Sequence, residues 1–208
     1  YLTGVIFWAG LIYWLIHVTL LGTIVLVLYL ALYFGIFGLI ISSTIHELRS
    51  TNYLFIPSVW VLLEYCRSHL LTGFPWANLG YSQYLNLPFI QMADMTGPYG
   101  LSFVILLVNT TLFWILRQWI NKTFPVREVV VTRLILLISM LYGYMKMRTI
   151  DQQMIQQPSL KVALTQGNID QSIKWDESFQ KETLKIYERL SLKAAEQRPD
   201  LIVWPETA

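Results

Sequence analysis

Residues 20–41 read LLGTIVLVLYLALYFGIFGLII, an apolar run without one charged side chain. A bilayer core about 30 Å thick takes about 20 such residues in helical form, because every backbone N–H and C=O must pair within the segment. The stretch therefore predicts a membrane-crossing helix. Composition agrees: 55% of the 208 residues are hydrophobic and only 13% are charged, a balance that points to a membrane protein.

Further apolar segments lie on either side. Residues 2–16 read as the end of a preceding span. Residues 53–71 form a second full candidate, bounded by Thr51-Asn52 and Thr72-Gly73. Residues 99–116 form a third, closed by Arg117, and residues 129–147 a fourth, with Arg133 near one end, from which its long side chain can snorkel. Residues 1–150 are accordingly expected to be a polytopic α-helical membrane bundle. The short connection carrying Arg117, Lys122, Arg127 and Arg133 is assigned to the cytoplasm by the positive-inside rule. Residues 72–98 then face outward, and the chain leaves its last span on that same outer side, with Lys146 and Arg148 weighing mildly against this.

Charge is unevenly placed. No Asp, Glu, Lys or Arg precedes Glu47, yet 16 of the 28 charged residues fall in the final 58. A water-soluble region is therefore expected after a polar linker over residues 151–158. Within it Leu160-Lys161-Val162-Ala163-Leu164 alternates as a half-buried strand does. Asp176 is a candidate helix cap, after which Phe179, Thr183, Ile186, Tyr187, Leu190 and Ala194 fall on one helical face. Arg198-Pro199-Asp200 ends that helix. A second strand follows in Leu201-Ile202-Val203-Trp204, stopped by Pro205, so that Glu206 is presented at a strand end. Strand, helix and strand in this order predict neighbouring parallel strands of a layered α/β domain over residues 159–208. The chain opens inside one apolar run and stops just after this strand, and it reads as an internal fragment.

A net charge of +2 leaves no nucleic-acid footprint, and a lone cysteine, Cys66, allows neither an intrachain disulfide nor a cysteine-based metal site. Inside the span at 53–71, Glu64 and Arg67 stand i,i+3 on one helical face where they can neutralise each other. They read equally as a structural pair facing the bundle interior and as a phospholipid headgroup contact. His69 reads as interfacial, and Asn109 as a hydrogen-bonder between helices. Phe74, Pro75, Trp76, Tyr81 and Tyr84 suit an interfacial aromatic belt, or a loop shaping the path by which lipid reaches the soluble region.

Three stretches together resemble one family. Leu71-Thr72-Gly73-Phe74-Pro75-Trp76, followed by Gly80-Tyr81-Ser82-Gln83, is similar to the outward loop of bacterial apolipoprotein N-acyltransferases. Gln166-Gly167-Asn168-Ile169 and Gln171-Ser172-Ile173-Lys174-Trp175-Asp176-Glu177 resemble the opening of that family's nitrilase-like domain. Trp204-Pro205-Glu206-Thr207 resembles its first catalytic motif.

The resemblance implies a fold and a reaction. Residues 159–208 would be the first part of an αββα nitrilase-like domain of the carbon-nitrogen hydrolase superfamily, on the periplasmic side of the bacterial inner membrane. The family moves an acyl chain from a phospholipid to the N-terminal amine of a diacylglyceryl-cysteine lipoprotein. It does so through a thioester on a catalytic cysteine of a Glu-Lys-Cys triad, without metal or organic cofactor. Glu206 takes the glutamate's role by motif match. Trp175 matches a tryptophan near the active site, and as a helix-start staple it would serve packing instead. Phe74, Pro75 and Trp76 are the candidate substrate-contacting loop. The lysine and cysteine lie beyond Ala208 in this alignment of motifs; Cys66, inside a predicted span, is not the nucleophile, and the 208 residues alone are expected to be inactive. The alternative is a membrane-tethered nitrilase or amidase acting on a soluble amide. A channel, transporter or assembly factor is the rival outside catalysis, and it predicts Gly/Pro-interrupted half-helices lining a path.

Overall fold

A computed structural model describes residues 1–44, 53–120, 125–154, 158–169 and 177–205. The chain forms two compact units, Tyr1–Asp151 and Gln152–Ala208.

The first unit is a helical bundle. Helix α1 (Leu2–Leu11) leads through a 3-10 turn (Tyr13–His17) into α2 (Leu20–Thr44). Helix α3 (Phe55–His69) is followed by a loop, a 3-10 turn (Leu79–Gln83) and the single-turn α4 (Leu87–Ile90). The long helices α5 (Ala93–Ile120) and α6 (Val126–Met154) complete the unit. Among the described residues, three helical stretches are long and apolar enough to cross a bilayer: Leu20–Thr44, Ala93–Arg117 and Val126–Ile150. At 1.5 Å per residue each 25-residue stretch runs about 37 Å. Helix α2 is apolar all round and leaves Leu21, Val25, Leu28 and Leu39 exposed, as suits a helix whose solvent is lipid.

Two spans differ from their expected form. The segment at 53–71 contains a helix of only 15 residues, about 22 Å long, and is not among the three. Its C-terminal half holds buried Glu64 and Arg67, and after His69 the chain turns back sharply instead of continuing. The segment at 99–116 belongs to a longer helix broken at Gly97, whose φ of 60° and ψ of −165° only glycine adopts readily. Pro98 then starts the main rod, where its missing N–H costs nothing.

Packing follows the expected membrane logic of close van der Waals contact and shared hydrogen bonds. Trp8 and Ile12 of α1 interlock with Val27 and Leu30 of α2. Leu107 and Trp114 of α5 form a second core with Tyr53. Leu101 and Val104 of α5 close over Phe89 of α4. Buried hydroxyls of Thr111 and Thr132 share a 2.7 Å hydrogen bond between α5 and α6. Asn109, read as an interhelical donor, instead gives its Nδ2 proton to Ile105 O, one turn back in its own helix.

The second unit holds β1 (Val162–Leu164), a 3-10 turn (Glu177–Phe179), α7 (Gln180–Ala195) and β2 (Leu201–Val203). The strands are parallel neighbours in the register Val162↔Leu201, Ala163↔Ile202, Leu164↔Val203. Phe179, Thr183, Ile186, Leu190 and Ala194 are half-buried and Tyr187 is buried, so α7 turns the expected face inward. Asp176, the candidate cap, lies outside the described residues, and the described helix is preceded by the turn at Glu177–Phe179.

Candidate functional site

Each unit carries a candidate element of its own. In the bundle it is the loop between α3 and the turn at Leu79–Gln83. Three consecutive residues there have positive φ: Leu71 (51°), Thr72 (74°) and Gly73 (80°), with Ala77 (54°) further on. Left-handed backbone at a leucine, a β-branched threonine and an alanine is strained. Strain of this kind persists only where surrounding contacts over-determine it.

Those contacts come from Arg67 and Glu64. The buried Arg67 guanidinium donates from Nη1 to Phe74 O (2.7 Å) and Trp76 O (2.6 Å), and from Nη2 to Asn78 Oδ1 (2.6 Å). It also lies over the Trp8 ring, 5.0 Å from the centroid. Glu64 Oε1 accepts from Trp60 Nε1 (2.9 Å) and from the Leu79 backbone N–H (2.7 Å). No direct ion pair joins Glu64 to Arg67 among the described residues. Arg67 and Glu64 Oε1 thus hold the loop, while the buried Glu64 Oε2 and Asn78 Nδ2 have no hydrogen-bond partner among the described residues. Gly80 completes the anchorage: its N–H donates to Ser102 Oγ at 2.9 Å, and a Cβ there would fall 2.5 Å from Pro98 O.

The aromatic residues of the loop divide their labour. Phe74 turns inward to meet Trp8 edge-on, ring centroids 5.8 Å apart, and packs on the α1–α2 core. Trp76 stacks on Trp14 at 5.6 Å with half of its surface exposed, and Pro75 is exposed. Tyr81 and Tyr84 are exposed as well. Residues of α1, α2, α3, the turn at Leu79–Gln83 and α5 line an open cavity of about 720 Å³, with Glu64, Arg67 and Asn78 among them. Its walls include Trp8, Phe34, Phe37, Trp60 and Leu106. A mainly apolar cavity of that size takes a hydrocarbon-sized ligand. Sequence reasoning could not find it, because its walls come from segments far apart in the chain.

In the second unit the element is the C-terminal end of β2. Val203 O accepts from both the backbone N–H (3.0 Å) and the hydroxyl (3.1 Å) of Thr165. Trp204 stacks on Tyr187 with ring centroids 5.2 Å apart and planes 29° from parallel, while its Nε1 donates to Ser191 Oγ at 2.9 Å. Lys161 Nζ donates to Gln197 O and is engaged at the far end of the sheet. Glu206 and Trp175 both lie outside the described residues. Phe74, Pro75 and Trp76 lie together on the loop of the first unit. Among the described residues no cluster of three or more His, Cys, Asp or Glu could hold a metal ion.

Comparison with known proteins supplies the family. The model for the apolipoprotein N-acyltransferase N-terminal domain matches residues 1–111. A protein of Geobacter metallireducens named apolipoprotein N-acyltransferase is 46% identical across 100% of this chain and 42% of its own length. Proteins of the same name from Shewanella oneidensis and Pasteurella multocida are 36% and 32% identical, each over 88% of this chain and over 33% and 35% of their own lengths. The chain thus spans about two fifths or less of these curated relatives. With more than half of its residues matched by the family model, the chain belongs to the apolipoprotein N-acyltransferase family.

Proposed function

We propose that the protein transfers an acyl chain from a membrane phospholipid to the N-terminal amine of a diacylglyceryl-cysteine lipoprotein. The observation that carries this reading is the 46% identity, across the whole chain, to a relative that bears the acyltransferase name. In this reading residues 159–208 open a nitrilase-like domain. Two features support that. The strands are parallel with a helix between them. Val162, Leu164, Leu201 and Val203 form an exposed apolar sheet face, the face a second sheet covers in an αββα sandwich.

The chemistry assigned to Glu206 is proton transfer. A cysteine thiolate, formed by loss of its proton to the carboxylate, attacks the ester carbonyl carbon of the phospholipid. The tetrahedral intermediate collapses with cleavage of the C–O bond, and the Glu206 carboxyl returns the proton to the leaving alkoxide. The lipoprotein amine then attacks the thioester, Glu206 takes its proton, and the thiolate leaves. A lysine ammonium stabilises the oxyanion in both halves, a contribution of roughly 3–4 kcal/mol where such donors have been removed. The lysine and the cysteine are assigned to positions outside residues 1–208. Trp175, Phe74, Pro75 and Trp76 are proposed substrate contacts, and the open cavity of the bundle is proposed to take one acyl chain of a lipid substrate.

Orientation is proposed from charge. Arg117, Lys122, Arg127 and Arg133 lie between α5 and α6 or just inside them, which assigns that connection to the cytoplasm. Residues 72–98 and the second unit are then periplasmic, in the bacterial inner membrane. Of the two counter-signals, Lys146 and Arg148, Lys146 lies 2.9 Å from Asp94 and is locally neutralised.

The test is product identity. The complete protein in liposomes, given a fluorescent phospholipid and a diacylglyceryl lipopeptide, should put label on the lipopeptide amine. Label appearing only as free fatty acid would make the protein a hydrolase. The 208-residue chain alone should give no turnover, and turnover by it would refute the assignment of the triad.

A further inference from the structure

We propose that the open cavity of the first unit is a binding site for a single-chain lipid with an uncharged head, one that both donates and accepts a hydrogen bond, such as a hydroxyl or a primary amide. The inference shares with the proposed function only the reading of the cavity as a lipid pocket, and it adds the chemistry of the head.

The cavity has two unlike ends. Trp60 and Arg67 stand two turns apart on α3, about 10 Å along its axis. Around Trp60 the wall is aromatic: the rings of Phe34 and Phe37 each meet its indole edge-on at 5.1 Å. That end suits a hydrocarbon chain. Around Arg67 the wall is polar. Asn78 and Trp8 both contact the guanidinium, and Glu64 holds the N–H of Leu79, the residue next to Asn78.

Four buried side-chain N or O atoms have no hydrogen-bond partner among the described residues, and three of them belong to this wall: Trp8 Nε1, Asn78 Nδ2 and Glu64 Oε2. Trp8 and Asn78 are each 2% exposed and Glu64 is 3% exposed. Buried polar groups are nearly always paired in folded proteins, so three unmet ones on one wall mark a place where a ligand supplies the partners. The fourth, Trp114 Nε1, lies in the separate core with Tyr53 and Leu107.

The kind of partner follows from what is unmet. Two N–H donors require an acceptor, and the carboxylate oxygen requires a donor. A hydroxyl offers both on one oxygen, and a primary amide offers both in one plane. Charge points the same way. Glu64 and Arg67 are the charged residues of this wall, one of each sign, and the guanidinium already gives three hydrogen bonds to the loop. A phosphate at this end would meet the carboxylate oxygen, and an ammonium would meet the guanidinium and two N–H donors. Either would be a buried charge without a counter-ion of its own. A simple ester brings no donor for Glu64.

The experiment uses the complete protein in nanodiscs and lipids with identical diazirine-bearing chains: a monoacylglycerol, a fatty amide, a methyl ester, a lysophosphatidate and an alkylamine. Capture is read as photo-crosslinked protein, and the crosslinked peptides are identified by mass spectrometry. The monoacylglycerol and the amide should half-saturate at concentrations at least about tenfold below the other three, with crosslinks on the cavity residues of α2, α3 and α5. Leu106→Trp narrows the cavity and should weaken capture of every probe at least about tenfold. Glu64→Gln keeps an oxygen for Trp60 and Leu79 but replaces the unmet acceptor by a donor. It should bring the monoacylglycerol to within about threefold of the methyl ester. Hydrogen exchange at the Leu79 amide checks that the loop stays closed; should it open in Glu64→Gln, the head series in the parent and Leu106→Trp decide. The proposal is overturned by equal capture of all heads, by a preference for phosphate or ammonium, or by capture that Leu106→Trp leaves unchanged. It is overturned equally by no capture in the cavity, as when other residues of the complete chain fill it. Acyl transfer is measured on the same preparations. Head-selective capture without transfer removes the acyltransferase reading alone, and transfer without head selectivity removes only this inference.

Discussion

Replacing Arg67 by methionine should release the loop over residues 71–78 while leaving the helices in place. Methionine fills much of the same volume but offers no donor. The change strands two backbone carbonyls, Phe74 O and Trp76 O, and the amide oxygen of Asn78, all of which Arg67 engages at 2.6–2.7 Å. It also removes the cation from over the Trp8 ring and leaves buried Glu64 without a neighbouring positive charge. Breaking a buried charged arrangement by deleting one partner costs about 3–5 kcal/mol. The half-exposed Trp76 lets water reach part of the loop, so the lower end of that range applies to local opening. Three kcal/mol corresponds to about a hundredfold in the opening equilibrium. Hydrogen exchange should therefore show protection of the Phe74 and Leu79 amides, which donate to Arg67 O and Glu64 Oε1, falling at least about a hundredfold, with α2 and the core of α5 unchanged. Arg67→Lys should recover only part of it, because one ammonium cannot reproduce the planar fork that reaches three acceptors. Protection in Arg67→Met within about threefold of the parent would refute the claim that this guanidinium holds the loop.

Further outcomes follow from other contacts. Thr111→Val or Thr132→Val should each destabilise the bundle by about 1 kcal/mol, and the double variant should cost less than their sum, since the stranded partner of the shared hydrogen bond is removed as well; a double-mutant cycle in a detergent unfolding titration measures it. Leu106→Trp should narrow the cavity and raise KM for a long-chain phospholipid more than for a short-chain one in the liposome assay. A cysteine at Ser159, introduced with Cys66→Ala, should react with an impermeant maleimide added outside intact cells; labelling only after lysis contradicts the periplasmic assignment.

What could be read from the sequence depended on how local its cause was. Helix α2 was legible because an uncharged run of that length has one stable state in lipid. The inward face of α7 was legible because its apolar spacing is itself helical. The 53–71 segment read as a full span because hydropathy averages over Glu64 and Arg67, whereas the helix described there has 15 residues and nothing local reveals that both charges fold against a returning loop. The two charges form no direct ion pair, because Phe74 O, Trp76 O and Asn78 Oδ1 take the guanidinium, and they act on each other through space. Asn109 bonds Ile105 O because an acceptor in its own helix is always within reach. The grip on Trp204 was hidden as well, since Ser191 and Tyr187 look like ordinary positions of an amphipathic helix until β2 is laid beside them.

The most direct test is acyl transfer by the complete protein with Glu206 changed to Gln. An isosteric amide keeps the shape and removes the proton acceptor, so membrane insertion should be unchanged while labelled acyl transfer to the lipopeptide amine falls by at least about a hundredfold. Transfer by Glu206→Gln at a rate near that of the parent would contradict the account.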